Sequence, residues 1–259
     1  MPSRADTDET ENLAWALTGH RPKVFRGLFK NPSYDNLELF LQEDEQTRIT
    51  EQVKAIASLV NDKRDVSTLA EIFAAVYAAA PYKRDPCVPR FTITASQVLT
   101  QGFSTGCTNY AIAFAAVARA KGIPAIVVDG ADDEWIKGGA SLEYVCGHFF
   151  VEVFVENKWQ LLDSTSGELY PDYDTKNWCL PGKKIAFAKA LSVIDMGVNE
   201  STHNLLQRAA FLKDKIIYRD PGYVVRDLKG DSRMRKAGLS KPLRFWRRLK
   251  RKPWRKTLL

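Results

Sequence analysis

Three residues of this chain combine the types and settings that nucleophilic catalysis requires: Cys107, His148 and Asp163. A cysteine nucleophile needs a lowered pKa, a general base within hydrogen-bond reach, and donors for the oxyanion that forms on the attacked carbonyl. Cys107 follows a glycine-bounded loop at 102–106 and opens an alanine-rich stretch, 107–120, that reads as a helix closed by Gly122 and Pro124. At a helix start the dipole and the unpaired backbone N–H groups stabilise a thiolate, and the same groups can hold an oxyanion. Thr105 is placed to cap this helix.

The base must be positioned by other elements. Residues 148–155 and residues 158–163 read as strands, and only Glu156 and Asn157 separate them. That is a hairpin with a two-residue turn. Closing it there pairs Val155 with Lys158 and, counted outward, Phe150 with Asp163. His148 lies two residues from Phe150 and therefore on the same face. His148 and Asp163 become diagonal cross-strand neighbours, roughly 5–8 Å apart at Cβ. A slip of one residue would put them on opposite faces. The hairpin alone thus predicts a histidine–carboxylate pair.

Upstream, residues 50–61 and 67–80 carry apolar residues at helical spacing, with Ser67 or Thr68 as a cap for the second helix. Pro86 and Pro89 mark a loop. Ala125 to Val128 reads as a short strand, and Asp129 to Tyr144 as a polar connection. Beyond Thr165, residues 185–194 and 201–212 read as helices and 223–225 as a strand. Cys87, Cys146 and Cys179 read as core, the usual fate of a lone cysteine. Trp159 and Tyr110 read as packing residues. Glu152 shares the His148 face, either in the site or toward solvent. Asp132, Asp133 and Glu134 read as a surface loop rather than a calcium site.

The stretch GCTNYAIAFAAVARAKGIPAIVV, followed by GHFFVEVFVENKWQLLD, resembles the core of the transglutaminase-like superfamily. Cys107, Arg119, Gly122, Ile123, Pro124, His148, Glu152, Val153, Trp159, Leu162 and Asp163 match its pattern in order. The resemblance covers about residues 94–165. It implies an α+β fold of the papain-like kind, with the cysteine helix packed on an antiparallel sheet. It also implies Cys107 as nucleophile, His148 as acid and base, and Asp163 as the residue that orients the base. Eukaryotic transglutaminases keep a tryptophan upstream of the cysteine to help hold the oxyanion, and none occurs here between Trp15 and Trp135. Gln101 stands six residues before Cys107, the spacing at which papain-like enzymes keep an oxyanion glutamine, and is the candidate for that role.

Composition bounds the rest. The chain has 259 residues, 45% hydrophobic and 27% charged, enough for one domain with extensions or two small ones. Residues 1–45 read as an N-terminal arm, 46–228 as the catalytic domain, and 229–259 as a basic C-terminal tail. No apolar run is long enough to span a bilayer. The opening MPSRADTDETEN is acidic and polar, so no secretory signal is expected. Four cysteines without a CxxC pair point to a reducing compartment, and neither a metal nor a cofactor is expected. A cytoplasmic location follows, with membrane association through the tail left open.

The tail holds thirteen Lys or Arg and one acid, Asp231, for a net +12, which leaves −5 on residues 1–228 of a chain of +7. Its end, KPLRFWRRLKRKPWRKTLL, interleaves Phe245, Trp246, Leu249 and Trp254 with basic residues. That pattern suits an anionic membrane surface or a nucleic-acid backbone. The expected activity is acyl transfer on an amide bond through a thioester, with hydrolysis favoured, as in a protease or amidase. The alternatives are a protein-glutamine transglutaminase, an arylamine acetyltransferase and a non-catalytic scaffold docking through its tail.

Overall fold

The computed structural model describes residues 34–138, 146–198 and 217–230, with isolated positions between 206 and 213. Its first half is helical. A 3-10 turn at Leu37–Leu41 leads to α1 (Glu51–Ala57), α2 (Val66–Ala79), α3 (Ala95–Gln101) and α4 (Cys107–Ala120). β1 (Ala125–Asp132) and a short α5 (Asp133–Lys137) follow. Six more strands complete the fold: β2 (Gly147–Val155), β3 (Lys158–Asp163), β4 (Glu168–Tyr170), β5 (Cys179–Leu180), β6 (Lys184–Ala190) and β7 (Arg226–Asp227). They form one sheet in the order β5-β6-β1-β2-β3-β4-β7, with every pairing antiparallel.

The expected α+β architecture is present, and α4 is its axis. Thr108 through Arg119 are all buried, so this is an interior helix, with β1 and β2 on one side and α1, α2 and α3 around it. Alanine suits that position because it lets neighbours approach closely at no cost in side-chain entropy. Gly122, at φ 69°, ends the helix. Its N–H bonds the Arg119 carbonyl at 2.8 Å, and that of Ile123 bonds Ala118 at 2.9 Å, which satisfies the last carbonyls. The larger core lies between the sheet and α4. A smaller one lies on the opposite face, around Val128, Phe150, Leu161, Tyr170, Tyr173 and Leu180.

Several local expectations are corrected. Residues 185–194 do not form a helix: Lys184–Ala190 is strand β6, between β5 and β1. Ile185 through Ala190 are all buried, so the period-two signal of a half-exposed strand is missing and alanine content misleads. β1 runs through Asp132, and α5 occupies part of the stretch read as a polar connection. α2 is capped by Asp65, whose side chain forms a reciprocal capping box with Thr68. α3, absent from the sequence reading, starts with a second capping box, Thr94 with Gln97. The strand at the chain's far end is Arg226–Asp227 rather than 223–225. Of the helix expected at 201–212, the described positions Leu206, Ala209, Ala210 and Leu212 are helical. Residues 1–33 of the arm, the tail from 231, His20 and His203 lie outside the described residues.

Two buried polar groups tie distant segments together. Arg119 donates to Thr47 Oγ1 at 2.6 Å and to the carbonyls of Ala125 and Leu191 at 2.8 Å each. Glu152, whose position the sequence left open, is fully buried and pairs with Lys189 Nζ at 2.7 Å. The hydroxyls of Tyr34 and Tyr173 donate to its two oxygens at 2.7 and 2.6 Å.

The β2–β3 hairpin has the expected register, with Val155 opposite Lys158 and Val151 opposite Leu162. Glu156 and Asn157 both take left-handed φ, 53° and 60°, the signature of a type I′ turn. Such a conformation strains glutamate more than asparagine or glycine. The double variant E156N/N157G should therefore gain about 1 kcal/mol in urea unfolding at unchanged m-value. A loss of stability would contradict the turn described.

Candidate active site

Cys107 is the first residue of α4, preceded by Gly106 at the N-cap, and no side chain caps the helix. Thr105 does not have the expected capping role. It stands one residue too early, and both its N–H and its hydroxyl donate to Asn109 Oδ1 at 2.7 Å. The loop is thereby braced onto the first turn, while the leading N–H groups of α4 keep no intrahelical partner. Asn109 is a site-shaping residue that the sequence reading missed. An amide one turn into a helix that follows Ser-Thr-Gly was the available signal.

His148 lies on β2 opposite Gly130 of β1. Its Nε2 stands 2.9 Å from Asp163 Oδ1. The N–H is angled away from that oxygen, so charge attraction carries the contact more than a linear hydrogen bond. The same oxygen accepts the N–H groups of Thr165 at 2.9 Å and Ser166 at 3.0 Å, which anchor the carboxylate in the turn after β3. With Nε2 turned to the acid, Nδ1 is the nitrogen left to face the thiol. Cys107 lies close enough to the imidazole and to the backbone N–H of Phe149 for both to favour its thiolate form. The three residues expected from sequence therefore meet in one place, in the order acid, imidazole, thiol.

Phe150 supports this arrangement from the side, its ring edge-on to the imidazole at 4.9 Å and 80°. Gly130 lets β2 and β5 approach closely here. A Cβ there would lie 2.9 Å from Leu180 Cδ1 and 3.3 Å from the His148 carbonyl oxygen. Neither role was read from the sequence, where Phe150 was one apolar residue among several in a strand.

The electrostatics follow from burial and neighbours. Burial disfavours a thiolate at Cys107, but the hydrogen bond and charge of His148, with the Phe149 N–H, outweigh it and lower the thiol pKa. Burial likewise disfavours an imidazolium at His148, and Asp163 and Cys107 overcome this, raising its pKa from 6.5 to about 10. Asp163 is buried too, yet His148 and the Ser166 donors hold it well below the ordinary carboxylate range. Near neutral pH the arrangement favours imidazolium beside carboxylate, and the imidazolium draws the neighbouring thiol toward its thiolate form.

Other candidates are placed elsewhere. Gln101 ends α3, and its Nε2 donates to the Phe103 carbonyl at 2.7 Å, so one of its amide hydrogens braces the loop. It also lines a groove of about 550 Å³ between α3 and residues 87–92. Cys87 is exposed beside that groove, contrary to the core reading, because Pro86 and Pro89 hold its loop at the surface. Cys146 is half-buried and donates to Asp132, and Cys179 is buried as expected. Tyr110 stacks on Tyr77 in the core. Asp132, Asp133 and Glu134 pair with Lys184, Lys137 and Lys183 respectively. Among the described residues no group of three or more His, Cys, Asp or Glu is placed to hold a metal ion.

Comparison with known proteins bears on the same residues. A family model described as the transglutaminase-like superfamily matches residues 43–164, from before α1 to just past Asp163. This stretch belongs to the transglutaminase-like superfamily. The transglutaminase-like match includes all three residues of the site, and the family and the geometry together support cysteine-dependent catalysis. A crystal structure from Cytophaga hutchinsonii, provisionally described as a cysteine protease, aligns with TM-score 0.43 and 16% identity. The alignment covers 65% of this chain and 52% of that one, so the chain spans about half the length of that protein. No curated protein matches. No helix among the described residues is long and apolar enough to cross a membrane.

Replacing Asp163 by Asn removes the anion that favours the imidazolium. The raised pKa of His148 means that this coupling stabilises the fold fully below about pH 6.5 and is lost as pH rises through about 10. In D163N the His148 pKa should fall back toward 6.5, followed by NMR titration of its ring proton, and the alkaline decline in stability should flatten. An unchanged pKa would show that Asp163 does not govern the imidazole.

Proposed function

We propose that the chain is a thiol acyl-transfer enzyme that hydrolyses amide bonds through a thioester. The observation that supports it most is the approach of Asp163 Oδ1 to His148 Nε2 at 2.9 Å while the same ring contacts a thiol at an uncapped helix start.

In this reading the Cys107 thiolate attacks the amide carbonyl, and a C–S bond forms as the carbonyl π pair moves to oxygen. The oxyanion is held by the leading N–H groups of α4. The imidazolium of His148 gives its Nδ1 proton to the amide nitrogen as the C–N bond breaks, which releases an amine and leaves a thioester. His148, now neutral, takes a proton from water as the water oxygen attacks. That proton restores the imidazolium, and collapse then expels the Cys107 thiolate and yields a carboxylic acid. Asp163 orients the ring through Nε2 and stabilises its charged form throughout.

If an amine replaces water in the second half, the product is an isopeptide bond, as in a transglutaminase. A screen of peptide and glutamine-amide substrates distinguishes the two, with ammonia or free amine release and amine incorporation read in parallel. Release without incorporation is expected, abolished in C107A. Incorporation in excess of release would favour the transglutaminase reading, and release retained in C107A would reject thiol catalysis. Gln101 is the remaining candidate for a second oxyanion donor. Because its amide braces the Phe103 carbonyl, Q101A should lower kcat by less than about tenfold. A loss on the order of 10²-fold or more would assign it to the oxyanion.

A further inference from the structure

The described part of the molecule exposes four large apolar side chains, and three of them lie close together in sequence: Ile217 at 74%, Val224 at 62% and Val225 at 53%. They belong to a strap that crosses from β5 toward β4. At its start the Tyr218 hydroxyl bonds the Leu180 carbonyl at 3.2 Å. Farther on, Val224 N–H bonds the Asp172 carboxylate, and Tyr223 packs on the smaller core. The strap ends in the edge strand β7, and buried Leu228 pins it just before the basic segment begins. Exposed apolar residues therefore lead directly into the part of the chain with a net charge of +12.

We infer that the exposed strap residues and the basic, aromatic sequence of residues 229–259 act together in docking to an anionic lipid bilayer. Charge alone does not distinguish lipid headgroups from a nucleic-acid backbone, since both attract Lys and Arg. The apolar residues do. Trp246, Trp254 and Phe245 suit the headgroup level of a bilayer, where an aromatic ring is half in hydrocarbon and half in water. Leu249, Val224, Val225 and Ile217 are aliphatic, and a phosphate backbone has nothing to cover them, whereas the outer edge of the acyl region does. Pro242 and Pro253 bound the most basic stretch, leaving about ten residues between them, too few to span. Residues 1–228 carry −5 against +12 in the tail, so attraction to an anionic surface comes from the tail that the strap leads into.

The test is co-sedimentation of the full chain with vesicles of phosphatidylcholine alone and of the same lipid with phosphatidylserine added. Pelleting is expected only with the anionic vesicles, and it should weaken as salt rises. Each Lys or Arg replaced by Gln should lower partition about fivefold, so R244Q/R247Q/R248Q/K250Q should lower it several hundredfold. V224N/V225N, both at exposed positions, should lower it several-fold at an unchanged unfolding midpoint. Equal pelleting on neutral vesicles, or none on either, overturns the inference. Tight binding to duplex DNA or RNA at the same salt with no partition to vesicles overturns it in favour of a nucleic acid. Unchanged partition of V224N/V225N overturns the joint docking.

Discussion

The pairing register of β2 with β3 is the constraint on which the candidate site depends. Side chains alternate faces along a strand, so a shift of one residue would move Asp163 away from His148 and leave two buried polar groups without partners. A turn of only two residues, both in left-handed conformation, allows no such shift. Apolar packing reinforces it, because Val151 and Leu162 face the main core while Phe150 and Leu161 face the smaller one. The acid is then held by the N–H groups of Thr165 and Ser166, which fix in place the same oxygen, Oδ1, that faces the imidazole.

The second half of the site comes from a different kind of element. α4 is buried over nearly its whole length, and Arg119 anchors its far end through bonds to Thr47, Ala125 and Leu191. A helix gripped at its C-terminal end presents its N-terminal residue at a fixed place. The buried Glu152–Lys189 pair links β2 to β6 across β1. Such a pair contributes less to net stability than its distance suggests, because both charges were desolvated to form it. Its two phenol donors satisfy both carboxylate oxygens, and that makes the burial tolerable. The result is a rigid sheet carrying His148 and a rigid helix carrying Cys107.

What the sequence made legible was what local chemistry determines. The boundaries of α4 are marked by glycines and a proline, and the hairpin by its two-residue turn, so the helix, the register and the meeting of His148 with Asp163 could all be read. β6 could not be read, since covering both faces erases alternation. α3 is a short helix between loops, and its Thr94–Gln97 capping box was the one available signal. The bonds from Thr105 to Asn109, the Phe149 N–H at the sulfur and the Phe150 edge on the imidazole are tertiary. They depend on where backbone segments cross, which no local pattern encodes. Cys87 shows the limit of residue-type averages, because a loop set by two prolines overrides the usual burial of cysteine.

His148, standing beside Cys107, favours the thiolate form of its sulfur. The most direct measurement is the rate of iodoacetamide alkylation at Cys107 across pH, resolved from the other three cysteines by peptide mapping. A midpoint below that of an ordinary thiol, moving upward in His148→Ala, is the predicted result. A rate that climbs tenfold per pH unit toward 8.5, as for an ordinary thiol, and is indifferent to His148→Ala, would contradict it.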